Sequence, residues 1–186
     1  MPPDRPPRPR AVPPATGNVL RLHGPVTTDD LAPSSVPGVG TSNDADPAVL
    51  RRLLLHHVAP ELAGRDLRGT VVVADPGFGA GSNRASSVRA LAVAGVTAVI
   101  ARGVAPLYAA GARDEGLPVL ELHDPRFYHL AGPEARVAVE PNTGAVTLAD
   151  AGGATHRLAA VPLGPLATAI ADAGGTVPYL MAGGAW

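Results

Sequence analysis

The sequence predicts an α/β fold in which a parallel core of buried strands meets an antiparallel hairpin near the C-terminus. Three observations carry this. Apolar runs recur at Thr70–Ala74, Thr97–Ala101 and Pro118–Leu122, and strands covered on both faces read as such near-continuous runs. Between them lie Ser86–Ala94 and Pro106–Arg113, both helical in character. Strand, helix, strand, helix, strand at this spacing calls for right-handed crossovers in a parallel sheet. Further on, Arg136–Glu140 and Ala145–Ala149 flank Pro141-Asn142-Thr143-Gly144, whose residues suit a hairpin turn.

The elements follow in order. Seven of the first fourteen residues are proline, so residues 1–16 read as a disordered, polyproline-like arm, and 17–186 as one domain. Gly17–Leu22 suggests a short strand and His23-Gly24-Pro25 a turn. Ser34–Asp46, rich in Ser, Gly, Pro, Asn and Asp, is expected to be a mobile loop. Pro47–Val58 is a helix candidate, with Leu50, Leu53, Leu54 and Val58 on one face, Asp46 as N-cap and Pro47 in the first turn. Asp75–Gly81 is a glycine-rich turn. In the helix after it, Val88, Leu91 and Ala92 face inward. Thr155–Leu158 is a further strand candidate, and Pro165–Ala173 is a helix stopped by Gly174-Gly175.

Composition narrows the function. Fifteen basic and 16 acidic residues give a net charge of −1, and every basic residue is arginine. That balance argues against nucleic acid or an anionic membrane as the main partner. The absence of cysteine excludes disulfides, a thiol nucleophile and any cluster held by this chain's own sulfurs. No apolar run approaches the roughly 20 residues of a membrane span, and the N-terminus lacks the apolar centre of a signal peptide. A soluble, cytoplasmic protein is expected. The adjacent His56 and His57 cannot share a helix face, which argues against a metal pair. Asp114-Glu115 reads as a solvated pair, His129 and Tyr128 as the edge of the core, and Trp186 as a frayed end. His123-Asp124 lacks the spacing of a triad with Ser82.

The chemistry concentrates in one stretch. Val71-Val72-Val73-Ala74 runs into Asp75-Pro76-Gly77-Phe78-Gly79-Ala80-Gly81-Ser82-Asn83-Arg84, just ahead of a helix. Glycines let the backbone turn and approach a ligand closely. A helix N-terminus offers free N–H groups and partial positive charge, and Arg84 adds a planar fork suited to carboxylate or phosphate. The glycine spacing fits neither a dinucleotide fingerprint nor a P-loop. The stretch reads as an anion-binding loop, or as a tight strand-to-helix turn.

Gly77 to Arg84 resembles the G-x-G-S-S-R-E motif of the aconitase-superfamily swivel domain, and within it the small-subunit family of 3-isopropylmalate dehydratase. Val26-Thr27-Thr28-Asp29-Asp30-Leu31-Ala32-Pro33 resembles that family's T-D-x-I-x-P segment. Residues 94–101 resemble its A-G-V-x-A-V-I-A strand, 116–120 its G-L-P-x-L, and 173–180 its C-terminal G-G-x-I-P-Y-L. The ordered matches span about residues 18–181.

The resemblance implies a β/β/α-type sandwich. It also implies a lid role over a large partner subunit that holds a four-iron, four-sulfur (4Fe-4S) cluster. Together such subunits dehydrate and rehydrate a hydroxy di- or tricarboxylate. Ser82 would be the base that removes the carbon-bound proton. Asn83 and Arg84 would bind substrate carboxylate, with Thr28 and Asp29 completing the site and Gly79 and Gly81 shaping the anion loop. Serine is a poor base unless its oxyanion is strongly stabilised, which a helix N-terminus and Arg84 can do.

This chain departs from the pattern at Asn83 in place of the second serine, Ala85 in place of glutamate, and Ser86 where histidine is frequent. Ser34-Ser35-Val36 stands where the family carries an A-R-Y-like stretch. These changes suit a divergent member serving a specialised pathway rather than leucine synthesis. The alternatives are a homoaconitase-like dehydratase subunit acting on another acid, or a non-catalytic anion-binding lid, which Asn83 and Ala85 favour.

Overall fold

Val71, Val72 and Val73 are each fully buried, so the absence of polar alternation in this run reflects a strand covered on both faces. The computed structural model describes residues 14–39, 45–82 and 84–185. Its strands are β1 (Ala15–Leu22), β2 (Thr70–Ala74), β3 (Val96–Ala101), β4 (Val119–Glu121), β5 (Arg136–Val139), β6 (Ala145–Ala149) and β7 (Thr155–Ala159). Its helices are α1 (Thr28–Leu31), α2 (Pro47–Leu53), α3 (Ala85–Ala94), α4 (Pro106–Asp114), α5 (Pro125–Leu130), α6 (Pro165–Ala173) and α7 (Thr176–Met181), with a 3-10 turn at Pro60–Leu62. The strands form one seven-stranded sheet in the order β4-β3-β2-β1-β5-β6-β7. Neighbours from β4 to β1 are parallel, and those from β1 to β7 antiparallel.

Alternate residues of the parallel strands serve two cores. Leu22, Val72, Ala74, Val99 and Ala101 face Leu31, Leu50, Val88, Leu91, Tyr108 and Ala112 of the helical layer. Val19, Val71, Val73, Ala98 and Ile100 pack instead with Phe127 of α5, Val137 and Val139 of β5, and Val146 and Leu148 of β6. The sheet therefore curls until its antiparallel half covers the back of its parallel half. That gives the layered β/β/α architecture, and the two ends of the sheet touch where the Val161 amide donates to the Glu121 carbonyl at 2.7 Å.

Several boundaries differ from the sequence-based expectation. β1 begins at Ala15, which pairs with Val139, two residues ahead of Gly17. The arm expected over residues 1–16 falls mostly on residues 1–13, outside the described residues. At Gly17 a Cβ would come within 2.4 Å of the Gly69 carbonyl oxygen, so β1 and β2 meet there through glycine. α2 stops at Leu53 rather than continuing to Val58. Leu55 turns to φ +56°, is fully buried, and donates its amide to Asp30 O at 2.9 Å, while Val58 is exposed. Burial of Leu54 and Leu55 overrides the helical register.

The short helices α1, α5 and α7 have no counterpart in the sequence-based expectation. Gly174 adopts the left-handed cap that ends α6, but Gly175 then opens α7. Of the loop expected to be mobile over Ser34–Asp46, residues 40–44 lie outside the described residues. On either side, Val39 and Ala45 are buried. Trp186 also lies outside the description.

Candidate functional site

The glycine loop leaves the end of β2 and is held from two sides. On one, the Gly79 amide donates to Val26 O at 2.7 Å and the Thr28 amide to Ala80 O at 2.9 Å. On the other, the Gly77 and Phe78 amides both reach Gly103 O at 3.2 Å, and the Ala105 amide donates to Phe78 O at 2.9 Å. Phe78 is buried with its ring edge-on to Tyr108, centroids 5.3 Å apart. Gly79 has φ +74°, and a Cβ there would lie 2.3 Å from Tyr108 Cγ. Gly81 has φ +118°, and its Cβ would lie 2.7 Å from the hydroxyl of the buried Thr28. Only glycine satisfies both the backbone and the space at these two positions. The loop is thus a fixed bridge between the β1–α1 and β3–α4 connections, and it presents Ser82 exposed to solvent.

Arg84 occupies the N-cap position of α3 in extended conformation, with no side-chain cap bond. Its side chain is 12% exposed and turns back toward α1. There Nη2 donates to Asp29 Oδ1 at 2.8 Å and to Ala32 O at 3.1 Å. Asp29 also accepts the Ser34 amide at 2.9 Å. The Ser34 amide, then the Ser34 hydroxyl, then Arg84 hold the Asp29 carboxyl down to about 2. The neighbouring Asp30 turns the other way and closes a capping box on Thr27, taking the Thr27 amide at 2.7 Å and hydroxyl at 2.6 Å.

The electrostatics favour an anion. The first turn of α3 contains no acidic residue, so the positive end of this ten-residue helix is not compensated locally. Two buried polar atoms nearby have no hydrogen-bond partner: Arg84 Nε and Ser86 Oγ. An unmet buried donor is costly, and an acceptor arriving from outside would relieve it.

Of the residues singled out from the sequence, Thr28, Asp29, Gly81 and Arg84 meet directly, and Gly79 and Ser82 belong to the same held loop. Asn83 lies outside the described residues. The others stay apart. Asp124 caps α5 and bonds Arg126, and His123 lies 3.7 Å from Glu121, so neither turns to Ser82. Asp114 bonds Arg113 and the Thr176 hydroxyl, so it is not a merely solvated residue. Among the described residues, no group of three His, Cys, Asp or Glu side chains is placed to hold a metal ion.

Sequence reasoning missed one polar unit beside the loop. Arg21, 9% exposed, forms an ion pair with Asp75, donates to Val73 O at 3.2 Å, and lies 5.5 Å from the ring centre of Tyr128. Asp75 also accepts the Gly24 amide at 2.9 Å. Burial pushes this carboxyl up, but Arg21 and the Gly24 amide outweigh it and leave it below its ordinary value. Because Asp75 is the first residue after β2, the pair anchors the root of the glycine loop. Its partners stand 54 residues apart, and no local signal joins them.

Comparison with known proteins adds to this geometry. The chain is 33% identical over 138 residues to the 3-isopropylmalate dehydratase small subunit of Moorella thermoacetica, covering 74% of this chain and 80% of that one. It is 37% identical over 139 residues to the corresponding subunit of Pyrobaculum neutrophilum, covering 75% and 82%. The 2,3-dimethylmalate dehydratase small subunit of Eubacterium barkeri is 30% identical over 133 residues, covering 72% and 77%. Among solved structures, 3-isopropylmalate dehydratase of Methanocaldococcus jannaschii shares the fold with a TM-score of 0.73 at 23% identity, over 91% of this chain and 94% of that one. No family model matches the sequence.

Proposed function

Because this chain belongs to the 3-isopropylmalate dehydratase small-subunit family, we propose that it completes the active site of a hydro-lyase whose larger subunit carries the iron–sulfur cluster. The substrate is a hydroxy di- or tricarboxylate related to isopropylmalate or dimethylmalate, the acids named for its relatives. Ser82 is the base for the carbon-bound proton, and Arg84 clamps a substrate carboxylate. Asn83, Thr28 and Asp29 complete the pocket. The reading carries with it the cytoplasmic setting expected from the sequence.

The observation that carries this reading is the state of Arg84. One nitrogen is committed to Asp29 and Ala32, which fixes the plane of the fork, while the buried Nε has no acceptor. A substrate carboxylate brought to that edge supplies the missing acceptor in a planar, charge-assisted contact. Ser82 lies two residues away, ahead of the positive end of α3. That field stabilises an oxyanion on Ser82 and makes its hydroxyl a usable base. Desolvation on closure under a partner would strengthen both effects.

This chain does not fit the cluster itself. It has no cysteine to supply thiolates, and no group of three metal-ligating side chains stands together among the described residues. The chain's part is to bind carboxylate, orient the substrate and move a proton. The cluster, when present in the partner, supplies Lewis-acid binding of the departing hydroxyl.

The test is reconstitution under anaerobic conditions with a cluster-bearing large subunit of the same family. Absorbance of the unsaturated intermediate is followed on isopropylmalate, citramalate, homocitrate and citrate. Turnover on one of these acids is expected, and Ser82→Ala should reduce kcat by about 100-fold or more. A stable complex silent on every acid, with carboxylates still binding at Arg84, would replace this reading with a non-catalytic lid.

A further inference from the structure

The glycine loop and the β1–α1 connection lie side by side, and three bonds set their register. The Gly79 amide donates to Val26 O and the Thr28 amide to Ala80 O, both backbone to backbone. The third is made by a side chain: Asp75, at the root of the loop, accepts the Gly24 amide through Oδ2 at 2.9 Å. Close by, Pro25 packs over Gly77, where a Cβ would come within 3.3 Å of Pro25 Cβ. The register matters because each segment carries half of one contact. The β1–α1 connection leads into Asp29, the loop leads into Arg84, and the two meet at 2.8 Å.

The direction of the Asp75 carboxylate is set from outside the loop. Its other oxygen, Oδ1, is held by Arg21. Arg21 is fixed independently: it donates to the Leu22 and Val73 carbonyls of β1 and β2 and lies over the ring of Tyr128. Tyr128 is held in turn by the bond from its hydroxyl to Leu122 O at 2.7 Å. An anchored guanidinium therefore aims the carboxylate at Gly24. Burial works against the charge on Asp75, and a partly buried ion pair returns little net stability, whereas fixing a register is a role such pairs fill. Gly24, at φ +72° with nothing within 4 Å of the place a Cβ would take, has no packing of its own there. Its bond to Asp75 supplies the hold.

We propose that Asp75 is a positioning residue for Arg84. It draws the β1–α1 connection against the root of the glycine loop, so that Asp29 arrives at the guanidinium and fixes its plane. The effect travels through the Gly24–Thr28 backbone and its bonds to the loop. Its consequence for turnover rests on the hydro-lyase reading; its effect on the contact between Asp29 and Arg84 does not.

Asp75→Asn tests this with almost no change of shape. The amide has one oxygen in place of two, and the charged Arg21 takes it. The NH2 group then faces the Gly24 amide, donor against donor. In the full chain, the NMR titration midpoint of Asp29 should rise to the value found in Arg84→Ala. Loss of a negative charge by itself would move that midpoint down, so a rise reports the lost contact and not the field. Arg21→Met/Asp75→Asn frees the amide oxygen for Gly24 and should return the midpoint to about 2. In the reconstituted enzyme Asp75→Asn should raise KM about fivefold or more and change kcat less. If far-ultraviolet dichroism shows that Asp75→Asn does not fold, Arg21→Met/Asp75→Ala, which leaves no buried charge unpaired, takes its place with the same expected rise. A midpoint that stays near 2 while stability to urea falls makes the pair merely structural and overturns the proposal. Failure of Arg21→Met/Asp75→Asn to restore the midpoint overturns it too, because the Gly24 bond is then not the link. A native reconstituted enzyme silent on every acid counts against the hydro-lyase reading alone, and the Asp29 titration still decides the role of Asp75.

Discussion

Arg84 and Asp29 form a pair in which each constrains the other. Asp29 is 60% exposed, so the pair contributes little stability through attraction alone; its effect is to fix the guanidinium. Three donors act on the carboxylate, with the Ser34 amide ahead of Arg84. The folded-state value of about 2 lies below the ordinary 3.8. The associated stability is therefore complete above about pH 4 and is lost as pH falls toward 2. A carbon-detected NMR titration should show Asp29 with a midpoint near 2. In Arg84→Ala the midpoint should rise yet remain below 3.8, because the Ser34 amide is still there. Arg84→Lys keeps the charge and loses the fork, and in the reconstituted enzyme it should raise KM about tenfold or more while changing kcat less. A midpoint at the ordinary value in the native chain would remove Asp29 as the group that positions Arg84.

The glycine loop works as an element because its neighbours leave it no alternative path. Gly79→Ala sets a methyl against the Tyr108 ring and forces a left-handed backbone on alanine; it should destabilise the fold by roughly 2–4 kcal/mol in urea unfolding. Gly24→Ala, at φ +72° with nothing near the added atom, carries only the backbone strain, about 1 kcal/mol. Equal losses would mean that the packing of Tyr108 on the loop is unimportant. The loop, the parallel strands and the α6 cap were readable because each has a local signature: a β-branched run, a string of glycines, a glycine after an apolar helix. α5 had such a signal in Asp124-Pro125, an N-cap followed by proline in the first turn, but its six residues are too few to show periodicity. α1 is a single turn held by a capping box and by the bond from Leu55 to Asp30. The end of α2 was unreadable for a related reason, since Leu55 leaves the helix to fill a space created by residues far away in sequence. The Arg21–Asp75 pair and the contact of Arg84 with Asp29 depend on strand order, which no short stretch of sequence encodes.

At the scale of the molecule, the sheet divides into a covered half and a thin edge. β2 and β3 have partners on both sides and apolar layers on both faces, whereas β7 has one partner and alternates between exposed and half-buried residues. Hydrogen exchange should be slowest at the Val72, Val73, Val99 and Ile100 amides, and close to unprotected at Thr155, Arg157 and Ala159. Uniform protection across the sheet would mean that the seam closes in solution. The sheet order has one more consequence. β1 is the first of the described strands to be synthesised, and it sits in the middle, with β2 on one side and β5 on the other. Asn18 must wait for Thr70 and Ala15 for Val139. During translation the strand that unites the two halves is therefore left with an open flank and an apolar face until most of the domain has left the ribosome. Closure over such sequence distances is slow and exposes the chain to aggregation. The yield of this protein in a cell should accordingly depend on chaperones that bind nascent chains more than its equilibrium stability alone suggests.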